Sequence, residues 1–301
     1  MVGNGDDAAV LKAKGQVVIT TDTLNEGIHF FSSVDPVTLG YRSLIVNLSD
    51  LAAMGAKPWC FTLSLCLPES SEDFLAPFAQ GLSACAKEYG MSLIGGNTTR
   101  GPLSITIEAL GLMEDGVSPL LRSGARPEDR IYVTGNLGFS ALYVKAGLGE
   151  LEVSAETLKS WEYLSQRSVV YIAFAHEAAK RGLCSCGIDL SDGILGDLAH
   201  ILQASKCGAE LELTALPLDE HLQYLEQEDD RLELAATGGG DYQLLLGVSK
   251  QHEDAFLALA DRMEVKVSKV GIITRSAYKV LKHGTISKLK IRGFDHFSAL
   301  S

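Results

Sequence analysis

Apolar residues in the first part of the chain alternate between the spacing of a strand and the spacing of a helix. The β-branched run at 17–21 predicts a short strand that ends at Asp22. From Pro36 to Ala52, apolar residues recur every three or four positions, which predicts an amphipathic helix with one apolar side. Apolar and small polar residues then alternate over 59–67, which predicts a strand with one apolar face.

The same interleaving continues through the rest of the chain. A second helix is predicted at 74–89, with short strands at 92–94 and 104–107. In the second half, a strand is predicted to end near Asp189 and a helix to cover 195–205. Interleaved strands and helices are typical of α/β and α+β folds.

A change in composition divides the chain into two parts. Around residues 118–129 the periodic pattern gives way to proline, glycine and charged residues, and a new strand begins at Ile131. We therefore predict two domains, covering residues 1–120 and 121–301. The length of 301 residues agrees with about two domains.

Composition and charge exclude several classes of function. Hydrophobic residues make up 46% and charged residues 21%, as in ordinary globular proteins. The formal net charge of −12 argues against a broad surface for nucleic acid or anionic lipid. No apolar stretch approaches the roughly 20 residues that span a bilayer, and the N-terminus lacks a signal peptide pattern. We expect a cytoplasmic protein without membrane association, with its six cysteines reduced.

Carboxylates gather where predicted strands end and helices begin. The aspartates in question are Asp7, Asp22, Asp50, Asp189 and Asp192. Carboxylate and hydroxyl oxygens are the ligands that Mg²⁺ prefers, usually together with substrate phosphates and water. An aspartate at such a junction serves equally well as a helix cap. The number of these aspartates and the Thr20-Thr21-Asp22 context favour magnesium binding.

Two glycine-rich segments, 95–101 and 237–241, are predicted to form turns. Glycine lets a backbone approach a phosphate closely, and Arg100 with its neighbouring threonines offers donors; the alternative is two plain tight turns. No Walker phosphate-binding loop is present. His29 lies beside aromatic residues, and Arg122 lies at the predicted domain junction, where ligand sites often form.

Several of these segments together resemble the thiamine-monophosphate kinase family. The strongest are Ser-Asp-Leu-Ala-Ala-Met-Gly-Ala at 49–56 and the Gly-Gly-Asn-Thr-Thr-Arg-Gly segment at 95–101. Gly-Asp-Asp-Ala at 5–8, Ile-Asp-Leu-Ser-Asp-Gly at 188–193 and Phe-Asp-His-Phe at 294–297 are among the others, in the same order. The resemblance covers nearly the whole chain.

The resemblance implies both a fold and a reaction. The fold is the two-domain aminoimidazole ribonucleotide synthetase-like fold, in which the N-terminal sheet pairs across a homodimer and the C-terminal domain is mixed α/β. The reaction is magnesium-assisted, direct in-line transfer of the γ-phosphoryl group of ATP to thiamine monophosphate. Its products are thiamine diphosphate and ADP. ATP is the co-substrate, and several Mg²⁺ ions are expected.

The resemblance also implies roles for individual residues. Asp22, Asp50 and Asp192 match catalytic positions. Residues matching metal ligands are Asp7, Thr20, Thr21, Asp22, Asp50, Asn97, Asp189 and Asp192. Residues matching nucleotide contacts are Gly96, Asn97, Arg122 and Ser191. Residues matching substrate contacts are His29, Gly240 and Phe294.

Two departures from the family pattern leave other functions open. Asn97 stands where the family usually has an aspartate, and Gly240 stands where it usually has a glutamate. An amide brings no charge to a metal, and glycine offers no carboxylate to a substrate. The alternatives are a dimeric nucleotide- or phosphate-binding module without full activity, and another ATP-dependent member of the same superfamily.

Overall fold

The computed structural model describes residues 8–291, which form two β-sheets and the helices packed on them. The predicted metal ligand Asp7 and the predicted substrate contact Phe294 lie outside the described residues. The strands are β1 Val17–Asn25, β2 Lys57–Leu67, β3 Ser92–Arg100, β4 Ser104–Leu112, β5 Arg130–Thr134, β6 Cys186–Asp189, β7 Gly208–Glu212, β8 Leu244–Val248, β9 Val267–Thr274, β10 Tyr278–Lys282 and β11 Thr285–Ile286. The α-helices are α1 Pro36–Ala53, α2 Glu72–Glu88, α3 Phe139–Gly147, α4 Ala155–Gln166, α5 Ile172–Lys180, α6 Ile194–Ser205, α7 Glu228–Thr237 and α8 Glu253–Arg262.

The N-terminal sheet has four strands in the order β1-β4-β2-β3. Strand β4 pairs antiparallel with both β1 and β2, and β3 pairs parallel with β2. Alternate residues of β4, including Ile105, Ile107 and Ala109, are buried on the face that packs on α1. We call this the inner face and the opposite side the outer face. The alternation predicted over 59–67 is confirmed, because Phe61, Leu65 and Leu67 of β2 are buried and Ser64 between them is exposed.

Strand β1 is longer than the sequence predicts. The expectation that Asp22 stands at a strand end is wrong, because pairing with β4 continues from Val17 opposite Leu112 to Asn25 opposite Ser104. Asp22 and Asn25 are of residue types depleted in strands, so pairing with the neighbouring strand decides their conformation. Asp22 therefore projects from the middle of a strand, on the inner face opposite Ile107.

Residues 95–100 of the predicted turn belong to a strand. Strand β3 runs from Ser92 to Arg100 and pairs with β2 as far as Leu67. Gly96 is required by close approach to that neighbour, because a Cβ atom there would lie 2.0 Å from the carbonyl oxygen of Leu63. The glycines thus permit tight packing of two strands, a reason that the local sequence does not reveal.

Helix α1 lies at the centre of the molecule. Asp35 caps its N-terminus, since the carboxylate accepts a hydrogen bond of 2.9 Å from the N–H of Thr38. The prediction of one apolar side is wrong, because polar Ser43, Asn47 and Ser49 are buried too. One side of α1 packs on the N-terminal sheet and α2, and the other contacts α5, β6 and β8. The second domain covers the side that periodicity assigns to water.

The second sheet has seven strands in the order β11-β10-β7-β9-β5-β8-β6. The predicted junction is confirmed: β6 ends at Asp189 and α6 begins at Ile194. Mixed strand directions and helices on the sheet give the expected mixed α/β architecture.

The division after residue 120 stays a prediction, with the two sheets on either side of it. Within residues 8–291, no helix has both the length and the apolar character needed to cross a membrane.

Candidate functional site

The C-terminal half of α1 meets the middle of β1 through polar groups. The hydroxyl of Thr20 donates a hydrogen bond of 2.5 Å to Oδ2 of Asp50. The backbone N–H of Asp22 donates to Oδ1 of Asn47 at 3.2 Å. Because residues of one parity share a face of β1, Thr20 and Asp22 both point toward α1. The structure therefore brings Thr20, Asp22 and Asp50 together, as the sequence predicts.

The loop between β6 and α6 approaches α1 from the second domain. Asp189 is only 5% exposed, and its Oδ2 accepts a hydrogen bond of 2.9 Å from the hydroxyl of Ser49. Downstream, the backbone N–H of Asp192 donates to Oδ2 of Asp197 at 3.1 Å. The contact between Ser49 and Asp189 joins the two domains at the point where the aspartates converge.

Burial and mutual repulsion shift the titration of these carboxyls. Burial, together with the charges of Asp50 and Asp192, raises the pKa of Asp22 to about 7. Burial likewise raises the pKa of Asp189, with the Asp50 charge as the next cause. The pKa of Asp50 is also raised by burial, although the Thr20 hydroxyl and the positive charge of Arg122 oppose the shift. We call Asp22, Asp50, Asp189 and Asp192 the aspartate cluster.

The chemistry of the aspartate cluster fits divalent cations. Several carboxylates close enough to raise one another's pKa destabilise the protein unless cations lie between them. Hydroxyl and carboxylate oxygens are hard ligands, which suit Mg²⁺. Across residues 8–291, no group of three or more His, Cys, Asp or Glu side chains is placed so that it could hold a metal ion. Magnesium commonly takes its remaining ligands from substrate phosphates and water.

Arg122 and Ser191, two of the predicted nucleotide contacts, lie beside this cluster. Arg122 is exposed in a short 3-10 helix. Burial raises the pKa of both Asp50 and Asp197, and the positive charge of Arg122 opposes both shifts, which places this charge near them. The carbonyl of Ser191 accepts a hydrogen bond of 2.8 Å from the N–H of Gly240. The second glycine-rich segment therefore packs on the loop that follows β6, and it has no helix or strand of its own from Gly238 to Asp241.

Two predicted metal ligands project away from the cluster. Asn97 pairs in register with Ser64, and Ser64 pairs with Thr106, which lies opposite Thr23. By strand alternation, Asn97 shares the outer face with Thr21, whereas Asp22 points inward. A single chain therefore does not bring the side chains of Asn97 and Thr21 to the aspartate cluster. Gly96, on the same strand, is an exposed residue whose backbone is accessible.

His29 lies in the loop after β1, which we call the His29 loop and define as residues 26–33. Its Nδ1 accepts a hydrogen bond of 3.0 Å from the N–H of Asn25, so the ring proton of the neutral side chain is on Nε2. A cavity of about 290 Å³ adjoins this loop. Its lining residues are Gly27, Phe31, Ser32, Ser33, Tyr143, Gly147, Leu158 and Glu162.

Sequence reasoning assigned no role to three buried polar residues at this site. Asn47 and Ser49 hold Asp22 and Asp189 through the hydrogen bonds described above, and Asp197 holds the N–H of Asp192. Asn47 and Ser49 belong to the Asn-Leu-Ser-Asp segment, so polar residues inside an apolar helix were the available signal. Asp197 lacks such a signal, because a carboxylate in the first turn of a helix is common.

Comparison with known proteins identifies two family domains. The chain matches the family described as AIR synthase related protein, N-terminal domain, over residues 5–113. It matches the AIR synthase related protein, C-terminal domain, over residues 126–284. A thiamine-monophosphate kinase from Salmonella typhimurium is 40% identical over 98% of this chain and 92% of its own length. A second, from Escherichia coli K12, is also 40% identical and covers 99% of this chain.

Solved structures give the same grouping. The thiamine-monophosphate kinase of Stenotrophomonas maltophilia K279a superposes with a TM-score of 0.86 at 35% identity, covering 95% of this chain and 92% of that one. A structure described as AaThiL complexed with AMPPCP and TMP has a TM-score of 0.81 at 29% identity. It covers 97% of this chain and 91% of that chain. Both similarities extend over the two domains.

Proposed function

This chain belongs to the thiamine-monophosphate kinase family and is an ATP-dependent phosphotransferase, and we propose that its aspartate cluster carries the reaction. The γ-phosphoryl group of ATP passes to thiamine monophosphate, and the products are thiamine diphosphate and ADP. The observation that carries this proposal is the convergence of Asp22, Asp50 and Asp189, from both domains, with raised pKa values. The two phosphate-bearing substrates cannot bind beside such a cluster without intervening cations.

Magnesium ions would be held by the aspartate cluster and by the hydroxyl of Thr20, which lies against Asp50. When bound, they neutralise charge on the phosphates and align the donor with the acceptor. Arg122 would bind nucleotide phosphates beside the cluster, and Ser191 and the backbone of Gly96 would complete the nucleotide site. Thr21, Asn97, Asp7 and Phe294 remain predicted contacts that the family pattern suggests.

The protein need not supply a general base for this transfer. The attacking oxygen belongs to a phosphate that is already ionised at neutral pH. The residues therefore bind, orient and neutralise, as phosphoryl transfer generally requires. We assign His29 to binding thiamine monophosphate, because it lies in the His29 loop, whose Gly27, Phe31, Ser32 and Ser33 line the cavity. Because the reaction consumes ATP, we infer that it takes place in the cytoplasm.

Incubation of the purified protein with thiamine monophosphate, ATP and Mg²⁺ tests this function. We expect thiamine diphosphate to accumulate, measured by chromatography after oxidation to the fluorescent thiochrome derivative. Omission of ATP or Mg²⁺ should each abolish the product. If magnesium and ATP raise the Tm in a thermal shift assay but no thiamine diphosphate forms, the result would instead support a nucleotide-binding module without activity. Asn97 and Gly240, which depart from the family pattern, leave that alternative open.

We propose that the chain forms a homodimer through the outer face of the N-terminal sheet. Among the described elements, α1 and α2 pack on the inner face. On the outer face, Val17 pairs with Leu112 and Ile19 pairs with Leu110. Ile19 is 58% exposed in the single chain. A second copy would bury these apolar residues, which supports association of two outer faces.

Replacing Ile19 by aspartate is expected to weaken this dimer. An aspartate in the contact replaces buried apolar surface with an unpaired carboxylate. The mass measured by light scattering should therefore fall from about twice the chain mass of 32.2 kDa toward one chain mass. Ile286→Asp is the matched control, because Ile286 is 74% exposed on a strand of the other sheet. Equal masses for wild type and Ile19→Asp at micromolar concentration would contradict the proposed interface.

A further inference from the structure

The cavity beside the His29 loop is formed by both domains. The loop itself comes from the first domain, whereas the helices α3 and α4 come from the second. Each helix contributes two lining residues that are four positions apart, namely Tyr143 and Gly147 on α3 and Leu158 and Glu162 on α4. Because residues four apart share one face of a helix, one face of each helix is directed at the cavity.

Two aromatic rings form walls of this cavity. Phe31 and Tyr143 pack edge to face, with ring centroids 5.8 Å apart and an angle of 78° between the ring planes. Gly147 makes room for this pair, because a Cβ atom there would lie 2.4 Å from Cε2 of Phe31. The faces of aromatic rings attract cations, and such walls are suited to organic cations that have no hydrogen to donate.

Among residues 8–291, the one charged residue that lines this cavity is Glu162. Its Oε1 accepts a hydrogen bond of 3.1 Å from the backbone N–H of Asp35, and its Oε2 accepts one of 3.4 Å from the hydroxyl of Tyr143. In the same part of the chain, no Lys, Arg or His forms an ion pair with this carboxylate. Two donors therefore orient the negative charge, and the protein places no cation in contact with it.

Tyr143 remains a hydrogen-bond donor to Glu162 at neutral pH. Burial raises the pKa of Tyr143 well above its ordinary value, and the charge of Glu162 adds to the rise. The hydroxyl therefore stays protonated, and its hydrogen bond holds the carboxylate beside the aromatic ring. Glu162 is thus positioned both from α3 and from Asp35 at the start of α1.

Strand β1 leads from the aspartate cluster to this cavity. Asp22 precedes Asn25, the last residue of β1, by three positions, which is about 10 Å along a strand. The His29 loop begins at the next residue. In thiamine monophosphate, an ethyl chain joins the phosphate to the thiazolium ring. A molecule whose phosphate lies at the cluster and which extends along β1 therefore brings that ring toward the cavity.

We propose that Glu162 binds the positively charged thiazolium ring of thiamine monophosphate, with Phe31 and Tyr143 as aromatic walls around it. This inference rests on the proposed function, since it adds a specificity-determining residue to the acceptor site of that reaction. The thiazolium nitrogen carries a permanent charge and no hydrogen, so charge and aromatic faces recognise it instead of a hydrogen bond. Glu162 therefore distinguishes a cationic acceptor from a neutral acceptor of the same shape.

Two acceptors compared in the wild type and in Glu162→Gln test this contact. The first is thiamine monophosphate, and the second is its analogue in which a neutral thiophene ring replaces the thiazolium ring. We expect the wild type to prefer the cationic acceptor, measured as the ratio of the two kcat/KM values. Glu162→Gln should reduce this preference about tenfold and change KM for ATP by less than about twofold. The glutamine side chain still accepts a hydrogen bond, so the loss concerns the charge.

Glu156→Gln is the matched control for the loss of one negative charge. Glu156 lies on the same helix but is exposed and does not line the cavity, so its variant should keep the wild-type preference within about twofold. Tyr143→Phe keeps the aromatic ring and removes the hydroxyl that positions Glu162. It should reduce the preference about threefold. An unchanged preference in Tyr143→Phe would overturn this positioning role.

The outcomes separate this inference from the proposed function. A wild-type protein that makes no thiamine diphosphate would remove the function itself, and calorimetric Kd values for the two acceptors would still test the contact. An active wild type whose Glu162→Gln variant keeps the full preference for the cationic acceptor would overturn the role of Glu162 alone. Equal losses with both acceptors in Glu162→Gln would also overturn it, because the effect would then not concern the charge of the ring.

Discussion

Replacing Asp22 by asparagine is expected to lower kcat at least about a thousandfold and to raise the Tm of the metal-free protein. The loss follows because a carboxylate that holds Mg²⁺ against the phosphates contributes several kcal/mol to the transition state, and each 1.4 kcal/mol is tenfold in rate. The gain in Tm follows because Asp22 lies beside Asp50 and Asp192, whose charges raise its pKa. An amide removes that repulsion. Stability and activity should therefore change in opposite directions.

Asp35→Asn is the control for this prediction. It makes the same change of one oxygen to one NH₂ group, but Asp35 caps the N-terminus of α1, where asparagine caps equally well. Its kcat should remain within about twofold of wild type. The stabilisation by added Mg²⁺ in the presence of ATP should persist in Asp35→Asn and be lost in Asp22→Asn. An Asp22→Asn variant with near-normal kcat would remove this carboxylate from the reaction.

Replacing Gly81 by alanine is expected to destabilise the protein by about 3 kcal/mol or more, a fall in Tm of roughly 10 °C. Helices α1 and α2 approach so closely that a Cβ atom at Gly81 would lie 1.8 Å from the carbonyl oxygen of Val37. A Cβ atom at Gly40 on α1 would likewise lie 2.1 Å from the carbonyl oxygen of Phe78. Alanine cannot be accommodated without separating the two helices. Calorimetry measures the change.

The sign of the change in stability distinguishes helix packing from helix propensity. Helix propensity alone predicts that alanine stabilises an interior helical position by about 1 kcal/mol relative to glycine. Packing of α1 on α2 predicts the opposite. Gly95→Ala is the control, because the nearest atom to a Cβ there is a methyl carbon of Thr62 at an ordinary 3.9 Å. A Gly81→Ala protein with an unchanged or higher Tm would contradict the close contact between the helices.

Features whose local sequence signals agree with the structure were predictable from the sequence. The junction at Asp189 was predictable because β6 is short and apolar and because glycine precedes α6. The grouping of Thr20, Asp22 and Asp50 followed from family resemblance, and the hydrogen bond from Thr20 to Asp50 gives it a physical basis. A carboxylate in an apolar helix beside a strand of hydroxyl residues is a pattern that only a polar site explains.

Other features depend on contacts between distant segments and were not predictable from local pattern. Residues 95–100 have turn composition, but pairing with β2 makes them a strand. Periodicity assigns one side of α1 to water, yet the second domain buries Ser49 against Asp189.

Phosphorus NMR of one reaction mixture tests the central claim most directly. Thiamine monophosphate and ATP in equal amounts are mixed with the protein and Mg²⁺, and the phosphorus signals are followed with time. Direct transfer predicts that the two phosphorus signals of thiamine diphosphate rise in step with those of ADP, one molecule for one, without inorganic phosphate. Release of inorganic phosphate with thiamine monophosphate unchanged, or no reaction although both substrates bind, would contradict the claim that this aspartate cluster transfers a phosphoryl group between them.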